Sequence, residues 1–175
     1  MSVRHSLLAL LAAEPAHGDG LKSSFEKSTA GAWPLNVGQV YTTLARLERD
    51  GLVEGDAGDD EERSNWRITR EGRAELAAWY GTPVDDRPAR DELAIKVLVA
   101  LAAGSVDVTK ILQAQRTATL ERLQEWTKSK RHADPDADLG WLLLLDALIL
   151  KAEAEVKWLD RCEERLRARR GRSRA

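Results

Sequence analysis

The chain of 175 residues contains one cysteine, Cys162, and no apolar run long enough to cross a lipid bilayer. A single cysteine excludes an intrachain disulfide and a cysteine-based metal site. The two most apolar runs, 7–13 and 139–150, are shorter than the ~20 residues that a membrane helix needs. The first run also lacks the basic flank of a signal peptide. We therefore expect a soluble, cytoplasmic protein.

Motifs that carry enzymatic chemistry are also missing. The sequence has no Gly-rich phosphate loop, no Cys/His cluster and no Gly-x-Ser-x-Gly turn. The three histidines are far apart in the chain: His5, His17 and His132. An acidic segment near the last of them fails as a calcium loop, because positions six and twelve counted from Asp134 are Leu139 and Leu145. We expect no catalytic residue, no metal and no other cofactor.

The chain has no excess of positive charge, since its formal net charge is −2 at pH 7. This balance excludes a non-specific polycation but leaves room for a specific DNA-binding protein whose positive charge is local. With 43% hydrophobic residues the chain can bury a sizeable core, in one domain or two.

The most informative segment is 34–53. Its apolar residues recur every three or four positions and predict an amphipathic helix: Val37, Val40, Tyr41, Leu44 and Leu47. Asn36 suits the N-cap, and Gly51 suits the end of the helix. The opposite face carries side chains that can contact bases or phosphates: Gln39, Thr42, Thr43, Arg46 and Arg49. Periodicity alone fits an ordinary core helix equally well, but this face indicates a DNA recognition helix.

The elements around this helix complete a recognisable pattern. Two shorter helices precede it, one ending before Pro15 and one at about 20–27, as in a helix-turn-helix. After it, 52–54 and 66–68 have strand character and flank a turn rich in Gly and Asp. Thr69 then caps a fourth helix. A winged helix-turn-helix is predicted.

The sequence therefore predicts a mainly α fold with a small β-wing. Residues 1–80 form the winged helix-turn-helix, and the proline-containing segment 81–90 forms a linker. Residues 91–170 form an antiparallel helical domain for dimerisation and effector binding, followed by a basic tail at 171–175.

The last helix, predicted over 139–167, is apolar on more than one side. We expect one side to pack within the subunit and another against a second subunit. The seam has nearly heptad spacing and supplies the predicted dimer interface: Leu142, Leu145, Ile149, Val156, Leu159 and Leu166.

These motifs resemble the PadR family of transcriptional regulators. The turn Pro15-Ala16-His17-Gly18 is similar to the one after the family's opening helix. Residues 34–52 resemble the recognition-helix signature, and 67–72 resemble the passage from wing to helix. The carboxy-terminal half is similar, more loosely, to the branch with a long helical dimerisation domain. The resemblance implies a dimeric repressor that small, often aromatic effectors release from its promoters.

The chain departs from the family pattern at three places. Asp19 follows the His-Gly pair where a tyrosine is usual, and Val37 replaces the usual proline. The wing tip at 59–62 consists of acidic residues, which would repel a phosphate.

The DNA contacts follow from the chemistry of the recognition helix. Gln39 can contact adenine, and Arg46 can contact guanine or a phosphate. Backbone amides near Gly38 can hold a phosphate. The full set of predicted DNA-contacting residues is Asn36, Gly38, Gln39, Tyr41, Thr42, Thr43, Arg46, Lys22, Ser23, Arg63 and Arg67. For Lys22 and Ser23 a merely solvated helix face is the alternative.

Six tryptophans raise the question of an effector. Tryptophan ordinarily serves as core or interface, but a cavity lined by several would suit a planar aromatic ligand. The candidates for such a cavity are Trp79, Trp126, Trp141 and Trp158.

Two functions remain after these arguments. The first is a homodimeric repressor that binds a pseudo-palindromic operator in double-stranded DNA and is released by a small aromatic effector. The alternative is a winged-helix dimer without DNA binding, acting as a protein-interaction or ligand-sequestering module. The acidic wing and the negative net charge motivate this alternative.

Overall fold

The computed structural model of the chain divides into two compact units, Met1–Asp85 and Asp86–Ala175. It describes residues 3–29, 31–56, 65–84, 91–104 and 106–172. The elements of the first unit are α1 (Val3–Ala13), α2 (Gly18–Ser28), α3 (Val37–Arg49), β1 (Val53–Gly55), β2 (Trp66–Ile68) and α4 (Arg70–Gly81). The second unit contains α5 (Glu92–Ala103), α6 (Val108–His132) and α7 (Leu139–Arg172). The prediction of a mainly helical fold with a small wing is confirmed.

The core of the first unit forms where the apolar faces of three helices meet. Each of these helices contributes residues at spacings of three and four, as amphipathic helices do when they bury one side. The central members of this core are Leu7, Leu8, Leu11, Leu21, Phe25, Val40, Leu44 and Leu47. The face of α3 opposite these residues is consequently directed away from the core.

The wing is a two-stranded antiparallel sheet in which Val53 pairs with Ile68. A third backbone segment joins it, because the amide of Ala16 donates to the carbonyl of Trp66 at 3.2 Å. The amide of Trp66 donates in return to the carbonyl of Ala16 at 3.0 Å. No motif in the sequence predicts this bridge. It fastens the turn between α1 and α2 to the wing.

The start of α4 is hydrogen-bonded to the turn that follows α3. The amide of Thr69 donates to the carbonyl of Leu52 at 3.1 Å, and its hydroxyl donates to the carbonyl of Gly51 at 2.8 Å. The same hydroxyl accepts from the amide of Gly72 at 3.0 Å and caps the helix. A Cβ atom on Gly72 would lie 2.1 Å from the carbonyl oxygen of Leu52. Only glycine permits this approach.

In the second unit α6 and α7 form an antiparallel hairpin. Gln113 near the start of α6 contacts Glu163 near the end of α7, whereas Lys130 near the end of α6 contacts Asp146 near the start of α7. In the turn between them, Asp134 accepts from two backbone amides at 2.9 Å, which lowers the pKa of its carboxyl group. The shorter α5 packs on α6 and shares an apolar core with both: Val97, Ala100, Val108, Leu112 and Leu159.

A polar network crosses the hairpin beside this core. Arg116 donates to Glu163 at 3.0 Å and to Asp160 at 2.7 Å. The guanidinium group of Arg116 holds the pKa of Glu163 below its ordinary value. Thr119 is completely buried and donates to Glu155. Because buried polar groups need these particular partners, the network selects one register of the two helices.

Several element boundaries differ from those predicted. Helix α2 begins two residues earlier than expected, at Gly18, and α6 continues through His132. Helix α7 continues to Arg172, so the predicted tail at 171–175 begins inside the helix, and 173–175 lie outside the described residues. Basic residues in the last turns of α6 and α7 complement the helix dipole and so favour the longer helices. Within the described ranges, no helix combines the length and apolarity needed to cross a membrane.

We expect Gly72→Ala to lower the free energy of unfolding by at least ~2 kcal/mol, because the new methyl group overlaps a backbone carbonyl. Chemical denaturation followed by circular dichroism measures this change. Gly81→Ala is the matched control on the same helix, since no described atom beyond its chain neighbours and the adjacent helix backbone lies within 4 Å of the added Cβ. That substitution should be neutral or stabilising by up to ~1 kcal/mol. If both substitutions change the free energy of unfolding equally, the close approach of Gly72 to the Leu52 carbonyl does not constrain residue 72.

Candidate nucleic-acid interface

Helix α3 is fixed at both ends by local contacts. At its start the side chain of Asn36 accepts from the amide of Gly38 at 2.8 Å, and Leu35 and Val40 on either side are buried in the same core. This is the N-cap with a hydrophobic staple. At its end Gly51 takes a φ of +72°, and the amide of Leu52 donates to the carbonyl of Leu47 at 2.9 Å. This is a Schellman ending. The exposed face of α3 is therefore held rigidly.

The start of α3 differs from the prediction in two respects. Val37, expected in the apolar stripe, is 41% exposed, because it lies in the first turn and the buried position is taken by Leu35. The amide of Gly38 is used by the Asn36 side chain, and the amides of Gln39 and Val40 donate to the Asn36 carbonyl. A phosphate at these amides would have to displace bonds within the protein.

The exposed face of α3 presents two side chains that can contact a partner. Gln39 and Arg46 are exposed, and neither side chain has a hydrogen-bond or ion-pair partner among the described residues. Thr42 and Thr43 donate their hydroxyl hydrogens to the carbonyls of Gly38 and Gln39, at 2.7 and 2.6 Å. Each threonine keeps its methyl group and an acceptor lone pair for other contacts.

Tyr41 packs α3 against the start of α2. Its ring is half-buried, and a Cβ atom on Gly18 would lie 2.5 Å from the ring carbon Cζ. The absence of a side chain at Gly18 therefore makes room for the ring. The hydroxyl oxygen of Tyr41 would lie 2.8 Å from that same Cβ position, beside the N-terminus of α2.

Most other predicted cations already face a carboxylate. Lys22 lies 3.2 Å from Glu26, while Ser23 beside it is exposed. The pKa of Glu26 is lowered by a hydrogen bond from the amide of Leu35 and by Lys22. On the wing Arg67 lies 3.2 Å from Asp56. Arg63 and the acidic tip at 59–62 lie outside the described residues.

An ion-pair triad closes the carboxy-terminal end of α3. Asp50 accepts from Arg4 of α1 at 2.7 Å and from Arg49 at 2.9 Å. These two hydrogen bonds, that of Arg4 first, lower the pKa of the Asp50 carboxyl group. Arg49 is thus engaged, and Arg46 is the cation of the α3 face that remains unpaired among the described residues.

The candidate effector residues do not share one unit. Trp79 belongs to the first unit, where its ring stacks on His5 with centroids 5.0 Å apart. Trp126, Trp141 and Trp158 belong to the second unit and are half-buried there, and Trp158 packs against the core of that unit.

Trp79 lines a small pocket in the first unit. The pocket has a volume of about 210 Å³, and its walls include Leu10, Phe25, Trp79 and Tyr80. The ring of Tyr80 lies 4.9 Å from that of Trp79. Sequence reasoning missed Phe25 and Tyr80 as pocket residues. Phe25 also serves the core, and adjacent residues on one helix do not normally share a face.

Most residues of the predicted dimer seam of α7 are buried or half-buried within a single chain. Leu145 and Leu159 are completely buried, so they have no surface left for a second subunit. Four other members are half-buried: Leu142, Ile149, Val156 and Leu166. The seam is covered by α6 of the same chain. Three leucines of α7 outside the seam are instead exposed by 58–64%: Leu139, Leu143 and Leu150.

Comparisons with known proteins match both parts of the chain. A family model described as the transcriptional regulator PadR-like family matches residues 7–78. A second model, described as the virulence activator alpha C-term, matches residues 89–167. A probable transcriptional regulator of Mycobacterium tuberculosis is 29% identical over 190 residues, which covers 97% of this chain and 100% of that protein.

Solved structures share the fold at low sequence identity. Bacillus subtilis PadR in complex with operator DNA is similar with a TM-score of 0.65 at 19% identity, covering 91% of this chain and 95% of that one. The same protein in complex with p-coumaric acid gives a TM-score of 0.68 at 19% identity, covering 93% and 96%. The Vibrio cholerae virulence activator AphA gives 0.65 at 22% identity, covering 94% and 98%.

Proposed function

Because the chain belongs to the PadR-like family of winged-helix, DNA-binding transcriptional regulators, we propose that it is a homodimeric repressor released from its operator by a small aromatic effector. The observation that carries the proposal is the exposed face of α3. Its ends are fixed, and Gln39 and Arg46 are unpaired among the described residues. Side chains held in place on a rigid helix are what direct readout of bases requires.

Gln39 and Arg46 each contact a different base of the operator. They are seven residues apart and lie on one face of the helix, about two turns from each other. An amide such as that of Gln39 forms paired hydrogen bonds with adenine, and a guanidinium such as that of Arg46 does so with guanine. Thr42 and Thr43 lie between them and offer methyl groups to thymine.

Phosphate contacts position the helix and come from the surrounding elements. Asn36, Tyr41, Lys22 and Ser23 flank the α3 face, and Arg67 extends the contact to the wing. Lys22 and Arg67 would exchange an acidic neighbour for a phosphate, because an exposed ion pair contributes at most ~1 kcal/mol. We expect the net electrostatic gain, and with it the salt dependence, to be modest.

We expect Gln39→Ala to reduce the preference for the best operator over a scrambled duplex by roughly five- to 150-fold, the equivalent of ~1–3 kcal/mol. Lys22→Ala should weaken both duplexes alike and reduce the slope of log affinity against log salt by about one. The operator is obtained by selection from a randomised pool, and affinities are measured by fluorescence anisotropy at two salt concentrations.

Gln124→Ala, on the exposed surface of α6, is the control for loss of a glutamine elsewhere. If the unaltered protein selects no DNA sequence at low salt, the repressor hypothesis is wrong. The result would then favour the alternative, a winged-helix dimer without DNA binding. If Gln39→Ala leaves the preference intact, the assignment of base readout to Gln39 is wrong.

We propose that the second subunit binds the side of α7 that carries its exposed leucines. Leu139, Leu143 and Leu150 recur at steps of four and seven and lie along one side of the helix. An exposed row of leucines on a long helix suits a self-complementary interface across a two-fold axis. Two recognition helices related by that axis would read half-sites about 34–36 Å apart, or a multiple of this distance.

We expect Leu143→Lys to convert the dimer to a monomer at micromolar concentration, because a charge would be buried in an apolar interface. Size-exclusion chromatography with light scattering gives the mass. Leu98→Lys is the matched control, since Leu98 is 63% exposed on α5, outside the proposed interface. A monomeric parent protein, or a dimer that tolerates Leu143→Lys, would remove this interface.

The pocket beside Trp79 is proposed as the effector site. Its aromatic walls suit a single planar ring, which can stack on tryptophan. The Bacillus relative that is similar in fold was solved with p-coumaric acid, a ligand of this class. Trp126, Trp141 and Trp158 keep the ordinary role of tryptophan in packing.

We expect p-coumaric acid or a related single-ring aromatic acid to release operator DNA, and Trp79→Ala to raise the half-maximal concentration roughly tenfold through loss of ring stacking. Release is followed by anisotropy of labelled DNA. Trp33→Ala is the control, because Trp33 is 44% exposed in the same unit but does not line the pocket. Equal sensitivity of the two variants would exclude the pocket as the effector site.

A further inference from the structure

The second unit contains a groove with a volume of about 570 Å³ where three helices come together. Its walls come from the end of α5, the start of α6 and the end of α7. The size lies within the range of ~300–1,000 Å³ typical of sites for small molecules. None of the residues proposed above to contact DNA or to form the dimer lines this groove, whereas Leu166, a member of the seam predicted from sequence, does.

One part of the groove is aliphatic. Of its lining residues, Ala100 and Val108 are buried and Leu166 is half-buried. Leu101 and Val106 at its margin are 40% and 51% exposed. Covering these methyl groups with an apolar chain would remove them from water and favour binding. None of the described lining residues is aromatic, in contrast to the pocket beside Trp79.

The other part of the groove is positively charged. Among the residues of the lining that the structure describes, Arg169 and Arg170 are positively charged and Asp107 is negatively charged, which gives a formal charge of +1. Asp107 is committed to capping α6, since its side chain accepts from the amide of Thr109 at 3.0 Å. Arg170 donates to the hydroxyl oxygen of Thr109 at 3.4 Å. A carboxylate is a stronger acceptor than this neutral hydroxyl and would attract the guanidinium more strongly.

We propose that this groove binds an apolar monocarboxylate of the fatty-acid type, with its chain along the aliphatic wall and its carboxylate on Arg170. The pairing needs a single negative charge joined to a flexible hydrocarbon, because the site combines methyl groups with planar guanidinium donors. The positive end of the α6 dipole lies on the same side and adds to the attraction. This site would be additional to the proposed aromatic effector pocket.

The test uses the full-length protein and decanoate below its micellar concentration, with binding measured by isothermal titration calorimetry without DNA. We expect saturable binding at one site per chain, and binding of decanol or of inorganic phosphate at least about tenfold weaker. Bound decanoate should also raise the melting temperature, because it binds the folded state alone.

Arg170→Gln should weaken decanoate binding about tenfold, and Val106→Glu should do the same by placing a charge on the wall that the hydrocarbon chain covers. Arg172→Gln removes the same charge from the same helix outside the groove and should leave the affinity unchanged. Circular dichroism verifies that each variant is folded.

Three results would overturn the proposal. Decanol binding as tightly as decanoate would mean that the groove is merely an apolar surface. Equal losses from Arg170→Gln and Arg172→Gln would mean non-specific attraction to the basic end of α7. Binding that is abolished by Trp79→Ala but unaffected by Arg170→Gln would place the ligand in the aromatic pocket. None of these results bears on DNA binding, so the repressor proposal stands or falls separately.

Discussion

The first unit depends on one backbone contact, the approach of Gly72 to the carbonyl of Leu52. That carbonyl accepts from the amide of Thr69, while the Thr69 hydroxyl bonds to Gly51 and caps α4. Three structural transitions therefore meet within a few ångströms: the end of α3, the start of the wing and the start of α4. Because every link is a backbone group or a short side chain, the angle at which α3 leaves the core has little freedom. A recognition helix needs such a constraint, since base contacts tolerate only small errors of position.

Local signals made α3 predictable from sequence. Asn36, Gly51 and the three- and four-residue spacing of Val40, Leu44 and Leu47 act within the helix itself. Contacts between distant segments were not predictable in this way. The pairing of Ala16 with Trp66 joins residues 50 positions apart, and no motif marks it. The exposure of Val37 likewise depends on Leu35 taking the core position.

The predicted dimer seam of α7 shows a second limit of prediction from sequence. Heptad spacing identifies the apolar sides of α7 but does not say which neighbour covers each side. The seam with the best spacing contains Leu145 and Leu159, and α6 of the same chain covers it. The polar network around Glu163 and Thr119 supports that pairing, because it gives these buried groups partners on the facing helix. In this chain the hydrogen-bond partners of these polar groups identify the neighbouring helix, which spacing alone does not provide.

The bridge between Ala16 and Trp66 also bears on solubility. A two-stranded wing has open edges whose unpaired amides and carbonyls invite strands from other molecules. Ala16 occupies the outer edge of β2 at its first residue, and its neighbour Pro15 has no amide hydrogen with which to extend the pairing. The segment that closes this edge is thus poorly suited to becoming an edge strand itself. At Trp66, the turn between α1 and α2 thereby occupies backbone groups that would otherwise be open to a strand of another molecule.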